Sequence, residues 1–239
     1  MTLTLYKFGP QWGIPDPSPF CVKLESFLRL NEIEFKFGGK DVRKSLGNAP
    51  KKKLPFVVFE NGESMGDSHM IIRHLCETKN IDMNAHLSDE QKATSHAYAR
   101  MLDEATYFVA LYSRWVDEPG FSVVRDIFFA PVPAFLRGRI SEKFRQGKIK
   151  ALYRQGTGRH SREDIYAAGA RDMDALSTLL GDDKWFFGSD KPTLLDIWAH
   201  AFVIQVIAPP IDTPLKEHTL FLKNLCDHAN RFQEKVYGT

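Results

Sequence analysis

The segment Leu54-Pro55-Phe56-Val57-Val58-Phe59, followed by Asn61-Gly62 and then Asp67-Ser68, compresses a proline, two short β-prone stretches, a hairpin dipeptide and a helix start into one short run. Proline cannot donate to a β-ladder, so at the front of a strand it needs a positional reason. A cis Leu54-Pro55 peptide supplies one, leaving the Leu54 backbone free to pair with the main chain of a bound peptide. A trans proline that merely opens the strand is the alternative. Asn61-Gly62 is the strongest short hairpin signal, and a helix over "SHMIIRHLCETK" then buries Ile71, Ile72, Leu75 and Cys76.

Upstream, "LTLYKF" reads as a strand with Leu3 and Leu5 on one face. Phe20, Leu24, Phe27 and Leu28 recur at helical period and define a buried stripe ending near Asn31. In "EIEFKF", Ile33, Phe35 and Phe37 alternate as one face of a second strand, which makes a parallel βαβ unit. The order is βαβ, an irregular or helical link, then ββα, that of a thioredoxin-like domain.

After about Glu77 the strand patterns stop. Ser88 and Gln91 form a capping-box pair opening a long helix whose apolar side includes Leu102, Phe108, Leu111 and Trp115. Ser161 and Asp164 open another, ahead of Ile165, Ala168, Leu176, Leu179 and Leu180. The fold class is therefore an α/β N-terminal thioredoxin-like domain over residues 1–80 plus an all-α C-terminal domain over 88–239, joined near "TKNIDMNAHLSD".

Charge narrows the function. With 32 Lys and Arg against 30 Asp and Glu, no global field draws the chain to nucleic acid or an anionic membrane. Three scattered cysteines, Cys21, Cys76 and Cys226, form neither a disulfide framework nor a metal set, and fit a reducing, cytoplasmic compartment. The N-terminus runs straight into a strand without the pattern of a signal peptide. The most apolar segment, "IWAHAFVIQVIAPPI", is too short and polar to span a bilayer, so no integral anchor is expected.

At Asp67-Ser68, helix N-terminal N–H groups suit a carboxylate and Asp67 suits an ammonium, together matching the zwitterionic end of a γ-glutamyl group. Both residues are also ordinary helix caps. Ser18-Pro19-Phe20-Cys21 looks like a dithiol motif whose first cysteine is serine. Ser-Pro is equally a common helix start, with Ser at the N-cap and Pro at the first helical position.

The stretches "SPFCVKLESFLRLNEIEF", "KKKLPFVVFENGESMGDSHMIIRHL" and "FFGSDKPTLLDIWAHAFV" resemble the glutathione transferase superfamily, the first two most closely its failed axon connections and metaxin-like branch. The likeness is weak around residues 117 to 160. It implies glutathione as cosubstrate, bound along Leu54, Pro55, Asp67 and Ser68, with Ser18 donating a hydrogen bond to its sulfur and stabilising the thiolate. Cys21 is the rival, reactive only if the helix dipole acts on it and inert if buried. Lys53 is placed to meet the glycyl carboxylate, or is a solvated lysine. Thr193 and Asp196 match the superfamily's capping motif and serve folding.

The implied reaction is addition of the glutathione thiolate to an apolar electrophile entering between the domains, beside Tyr107, Phe108, Tyr112 and Trp115, which are otherwise core. The loop "GPQWGIPDP" is long for a compact transferase and can place Trp12 over the entrance. The resemblance also implies a homodimer. The alternative is a non-catalytic, metaxin-like protein-interaction module, for which a C-terminal membrane anchor is expected in place of the polar "HANRFQEKVYGT". Residues Arg137 to Arg162 hold nine basic side chains against one acid, Glu142. They suit a partner or membrane surface, a lid over an acidic substrate, or a solvated helix face.

Overall fold

In the computed structural model, residues 2–39 and 41–238 are described. The N-terminal part holds β1 (Leu3–Tyr6), α1 (Pro19–Leu30), β2 (Phe35–Phe37), α2 (Val42–Asn48), β3 (Phe56–Val58), β4 (Ser64–Gly66) and α3 (Ser68–Lys79). The sheet order is β2-β1-β3-β4. β1 and β2 run parallel with Leu3 opposite Phe35, and β3 runs antiparallel to both β1 and β4. The expected βαβ–ββα order is therefore present, with the link folded as α2. The hairpin turns at Gly62, whose φ of 84° suits a residue without a side chain.

β2 departs from expectation. It begins only at Phe35, and Phe37 is 54% exposed instead of buried with Ile33. It is a short edge strand, paired only with β1. The Phe37 ring is covered instead by the Lys7 ammonium, 4.9 Å from its centroid.

The remaining chain is helical: α4 (Asp89–Met101), a π-helical turn over Leu102–Thr106, α5 (Tyr107–Trp115), α6 (Glu118–Phe128), α7 (Ala134–Gln155), α8 (Arg162–Leu180), α9 (Leu194–Ile207), α10 (Pro214–Phe221) and α11 (Lys223–Tyr237). None of the described helices is long and apolar enough to cross a membrane. The Ser88–Gln91 capping box is formed in both directions. The π turn rotates the helix face that follows it. Val109 is therefore the fully packed residue of α5, whereas Phe108, Leu111 and Trp115 are only half-buried. α6 crosses α5 where Gly120 meets the Ser113 carbonyl, and a Cβ there would overlap that oxygen.

α9 is apolar on every side and carries the core, with Leu195 through Gln205 all buried. It packs on α1, α4, α10 and α11, so it joins the two parts of the chain. The start of α9 is fixed by Asp196. Its carboxylate accepts the Thr193 N–H at 2.6 Å, the Thr193 hydroxyl at 2.7 Å and the Phe186 N–H at 3.1 Å, and pairs with His228 Nε2 at 2.7 Å. Both Asp196 and His228 are wholly buried. Asp196→Ala leaves these donors and an imidazole without their acceptor. It is expected to cost about 3 to 5 kcal/mol in equilibrium denaturant unfolding, whereas a surface cap of the same type costs about 1 kcal/mol.

Candidate functional site

Three chain segments converge at the end of the sheet: the N-terminus of α1, the turn before β3, and the N-terminus of α3. Ser18 is the N-cap of α1, and its carbonyl accepts the N–H groups of Cys21 and Val22, both at 3.1 Å. Its hydroxyl makes no capping bond, so the capping role that Ser-Pro suggests falls to the backbone alone. The side chain is half-buried and lies against the Cys21 thiol.

What positions Ser18 is Asp16. This wholly buried carboxylate accepts the Ser18 N–H at 2.9 Å through Oδ1 and the Gly9 N–H at 2.9 Å through Oδ2. Burial raises its carboxyl to about 6, opposed by those two N–H groups and by Lys7. Between Gly9 and Asp16 the chain makes a miniature hairpin. Gln11 and Ile14 exchange backbone bonds of 3.1 and 3.0 Å, and Trp12 and Gly13 take φ of 54° and 75° at its tip. Positive φ at both central residues is the type I′ signature. The Trp12 ring lies 5.9 Å from that of Phe128 of α6.

The loop is tied to the helices by Arg114. Its half-buried guanidinium, lowered to about 10 by desolvation, donates to the Pro17 carbonyl at 2.5 Å, to the Gln205 carbonyl at 2.9 Å and to Gln205 Oε1 at 2.5 Å. Gln205 Nε2 in turn donates to the Asp16 carbonyl at 2.7 Å. The space behind Arg114, lined by Ala110, Ser113 and Ile211 among others, holds about 10 Å³. That is room for a water and no larger solute.

Cys21 is fully buried among Ala49, Leu54 and Phe56. Burial pushes its thiol well above the ordinary range, the Asp16 carboxylate adds to the effect, and contact with Ser18 opposes it. A thiolate at Cys21 is therefore disfavoured by position and by charge.

The Leu54–Pro55 bond is cis, as the sequence suggested. Leu54 and Pro55 are buried just ahead of β3, and Lys53 is exposed beside them. At α3, Asp67 takes the N-cap with φ of 87°, its Oδ1 accepting from the His69 and Met70 N–H groups at 3.1 and 3.4 Å. Its Oδ2 lies 3.4 Å from Lys51 Nζ, an exposed contact that a ligand ammonium can replace. Ser68, the first residue of α3, is only 4% exposed.

Lys23 was not legible as a buried group. It is fully enclosed, donates to Asp103 Oδ1 at 2.5 Å and sits 4.4 Å from the Trp198 ring centroid, while Trp198 Nε1 donates to Asp103 Oδ2 at 3.0 Å. Burial lowers its ammonium and Asp103 opposes that shift. The same ammonium, after burial, lowers the imidazole of His69 next to Ser68. Of the expected aromatic wall, Tyr107 packs on Phe20 and Tyr112 on Tyr166, whereas Trp115 faces Phe128 at 6.5 Å and Phe129 at 6.4 Å. Among the described residues, no group of three or more His, Cys, Asp or Glu side chains converges as a metal site.

Comparison with known proteins follows the same geometry. Residues 19–120 match the family model for the glutathione S-transferase N-terminal domain, and residues 169–232 that for the C-terminal domain. The chain is 29% identical over 235 residues to an isoprene-epoxide–glutathione S-transferase of Rhodococcus sp. strain AD45, covering 98% of each. It is 31% identical over 246 residues to Failed axon connections of Drosophila melanogaster, covering 98% of this chain and 57% of that protein. With human metaxin-1 it shares 28% identity over 243 residues, spanning 49% of that relative's length. In structure it is similar to the β-etherase LigF of Sphingobium sp. strain SYK-6, with a TM-score of 0.63 at 16% identity and coverage of 98% and 95%.

Because the Asp16 carboxyl is raised from 3.8 to about 6, the native state holds its proton more tightly than the unfolded chain does. Its contribution to stability is therefore present below about pH 4 and lost as the pH rises through 6. Wild type should gain stability relative to Asp16→Asn as the pH is lowered from 7 to 4, measured by denaturant unfolding. A pH-independent difference would show that Asp16 titrates like an exposed carboxyl.

Proposed function

The chain belongs to the glutathione S-transferase superfamily, on its failed axon connections and metaxin-like branch, and we propose that it binds glutathione and adds the glutathione thiolate to a small apolar electrophile. The observation that carries this reading is the start of α3: Ser68, buried at the first helical position, stands beside an N-cap carboxylate whose outer oxygen lies 3.4 Å from the exposed Lys51. Ser68 and the first N–H groups of α3 receive the γ-glutamyl carboxylate, and Asp67 receives the ammonium in place of Lys51. The Leu54 backbone pairs with the cysteinyl residue ahead of the cis-Pro55 turn. Lys53 meets the glycyl carboxylate.

The sulfur then faces the N-terminus of α1. There the Ser18 hydroxyl turns from Cys21 to the thiolate and donates to it, and the helix end favours the same negative charge. The thiolate forms a bond to the electrophilic carbon, whose leaving group or opened oxygen departs with the electron pair, and the thiol's proton passes to solvent. The relative from Rhodococcus, named for an epoxide, supports a small electrophile of that class. A homodimer and a cytoplasmic location accompany this reading. The competing reading, a protein-interaction module without glutathione chemistry, draws on the likeness to Failed axon connections and metaxin-1.

Isothermal titration with reduced glutathione separates the two: heat of binding and a raised melting temperature are expected, and silence at millimolar ligand favours the interaction module. Ser68→Ala is expected to weaken binding by about 1.5 to 3 kcal/mol, the range for a hydrogen bond to a charged group. Unchanged affinity would reduce the Asp67-Ser68 pair to a helix cap.

A further inference from the structure

The basic run from Arg137 to Arg162 divides when seen on the folded chain. α7 carries seven Lys and Arg side chains against one acid, Glu142, while in the rest of the chain acids outnumber bases. The net positive charge of the protein therefore lies in this one helix. On its inner side the cations are bound to the fold. Arg137 donates to the Ala130 carbonyl at 3.1 Å, and Lys148 lies 5.5 Å from the Trp115 ring centroid. Arg145 donates to the Val116 carbonyl at 2.7 Å and pairs with Glu118 at 2.8 Å. Glu142 is engaged along the helix itself, by Arg145 at 3.8 Å and by Gln146 Nε2 at 2.7 Å.

The outer side is different. Arg139, Lys143, Lys150 and Arg154 recur at helical spacing, so they form one row along α7, and all four are exposed. Phe135 continues the row one turn toward the N-terminus and is 85% exposed, with Leu136 beside it at 38%. In the turn that leads into α7, by contrast, Phe129 and Val132 are buried. At the far end Tyr153 is 57% exposed beneath the Arg159 guanidinium, 4.9 Å from its ring centroid. At 1.5 Å per residue, Phe135 and Tyr153 stand about 27 Å apart.

A single exposed phenylalanine is ordinary, and so is a solvated basic face. Their combination in one straight row selects among partners. The two rings are too far apart to stack on neighbouring bases of a single strand. A nucleic-acid duplex matches the cations but leaves Phe135 and Leu136 in water. An anionic bilayer matches both, with headgroups for the cations and the acyl boundary for the apolar side chains. We propose that the outer side of α7 docks on an anionic lipid surface. Phe135 and Leu136 enter the boundary between headgroups and acyl chains, and Arg139, Lys143, Lys150 and Arg154 lie over the headgroups. The helix rests in the plane of the surface and does not cross it. This docking is independent of glutathione chemistry.

The test is co-sedimentation with vesicles of phosphatidylcholine alone and of phosphatidylcholine mixed with phosphatidylserine. Wild type is expected to sediment with the mixed vesicles, not with the neutral ones, and less so as salt is added. Lys143→Glu/Lys150→Glu should weaken binding to mixed vesicles by at least about tenfold, and Lys143→Arg/Lys150→Arg by less than about twofold. Phe135→Ala should weaken it by about fivefold or more, through lost apolar burial. Lys223→Glu/Lys235→Glu makes the same change of charge at exposed positions of α11 and should cost less than about threefold. If the α7 reversal alters the melting transition, Arg139→Gln/Arg154→Gln probes the same row and should lose binding likewise. A wild type that does not sediment with mixed vesicles overturns the proposal, as does an equal loss from the α11 reversal. So does binding to a DNA duplex as tight as to vesicles, with neither changed by Phe135→Ala.

Discussion

The position of Ser18 depends on one buried polar network. Arg114, from α5, donates to the Pro17 carbonyl and to Gln205 of α9, and Gln205 donates to the Asp16 carbonyl. The Asp16 side chain then holds the N–H groups of Gly9 and Ser18. A helix N-cap in the α/β part of the chain is thus set by a guanidinium from the helical part. Removing any member would strand a buried donor or acceptor, so the network is a set of mutually required bonds. The same chain of contacts fixes the hairpin that carries Trp12, since both its ends, Gly9 and Asp16, are held by it.

Electrostatics around Ser18 follow from this arrangement. Asp16 lies close enough to disfavour a thiolate at Cys21, which is already buried beneath Leu54 and Phe56. A protein thiol is thereby kept neutral beneath the helix N-terminus where a ligand thiolate is proposed to bind. The serine that stands where a dithiol motif would have cysteine removes the nearer thiol, and burial silences the farther one. The chemistry proposed for this motif is hydrogen-bond donation to a sulfur that arrives with the ligand.

Much of the fold was legible in the sequence, because its cues are local. The Asn61-Gly62 hairpin, the Asp67 and Ser88 caps and the periodic stripe of α1 each depend on residues a few positions apart, and each is present in the structure. The turn at Leu54-Pro55 was readable for the same reason. Edge effects were not: Phe37 has the alternation of a buried strand residue but lies on an uncovered edge. Nor was the π turn at Leu102–Thr106, which rotates Phe108 and Trp115 away from the core that simple periodicity assigns them. The charged residues that organise the site were hidden for a different reason. Lys23, Asp103, Arg114 and Gln205 find their partners across long sequence separations, and spacing says nothing of such pairs. Arg114 did leave a trace, a lone cation amid "YFVALYSRW", as Lys23 did within the stripe of α1.

Stabilisation of a glutathione thiolate by the Ser18 hydroxyl can be read directly. The direct measurement is the ultraviolet thiolate absorbance of bound glutathione as a function of pH, in wild type and Ser18→Ala at saturating ligand. The expected result is a thiol pKa below that of free glutathione in wild type, moved up toward the free value in Ser18→Ala while binding is largely kept. Superimposable titration curves for the two proteins would contradict it.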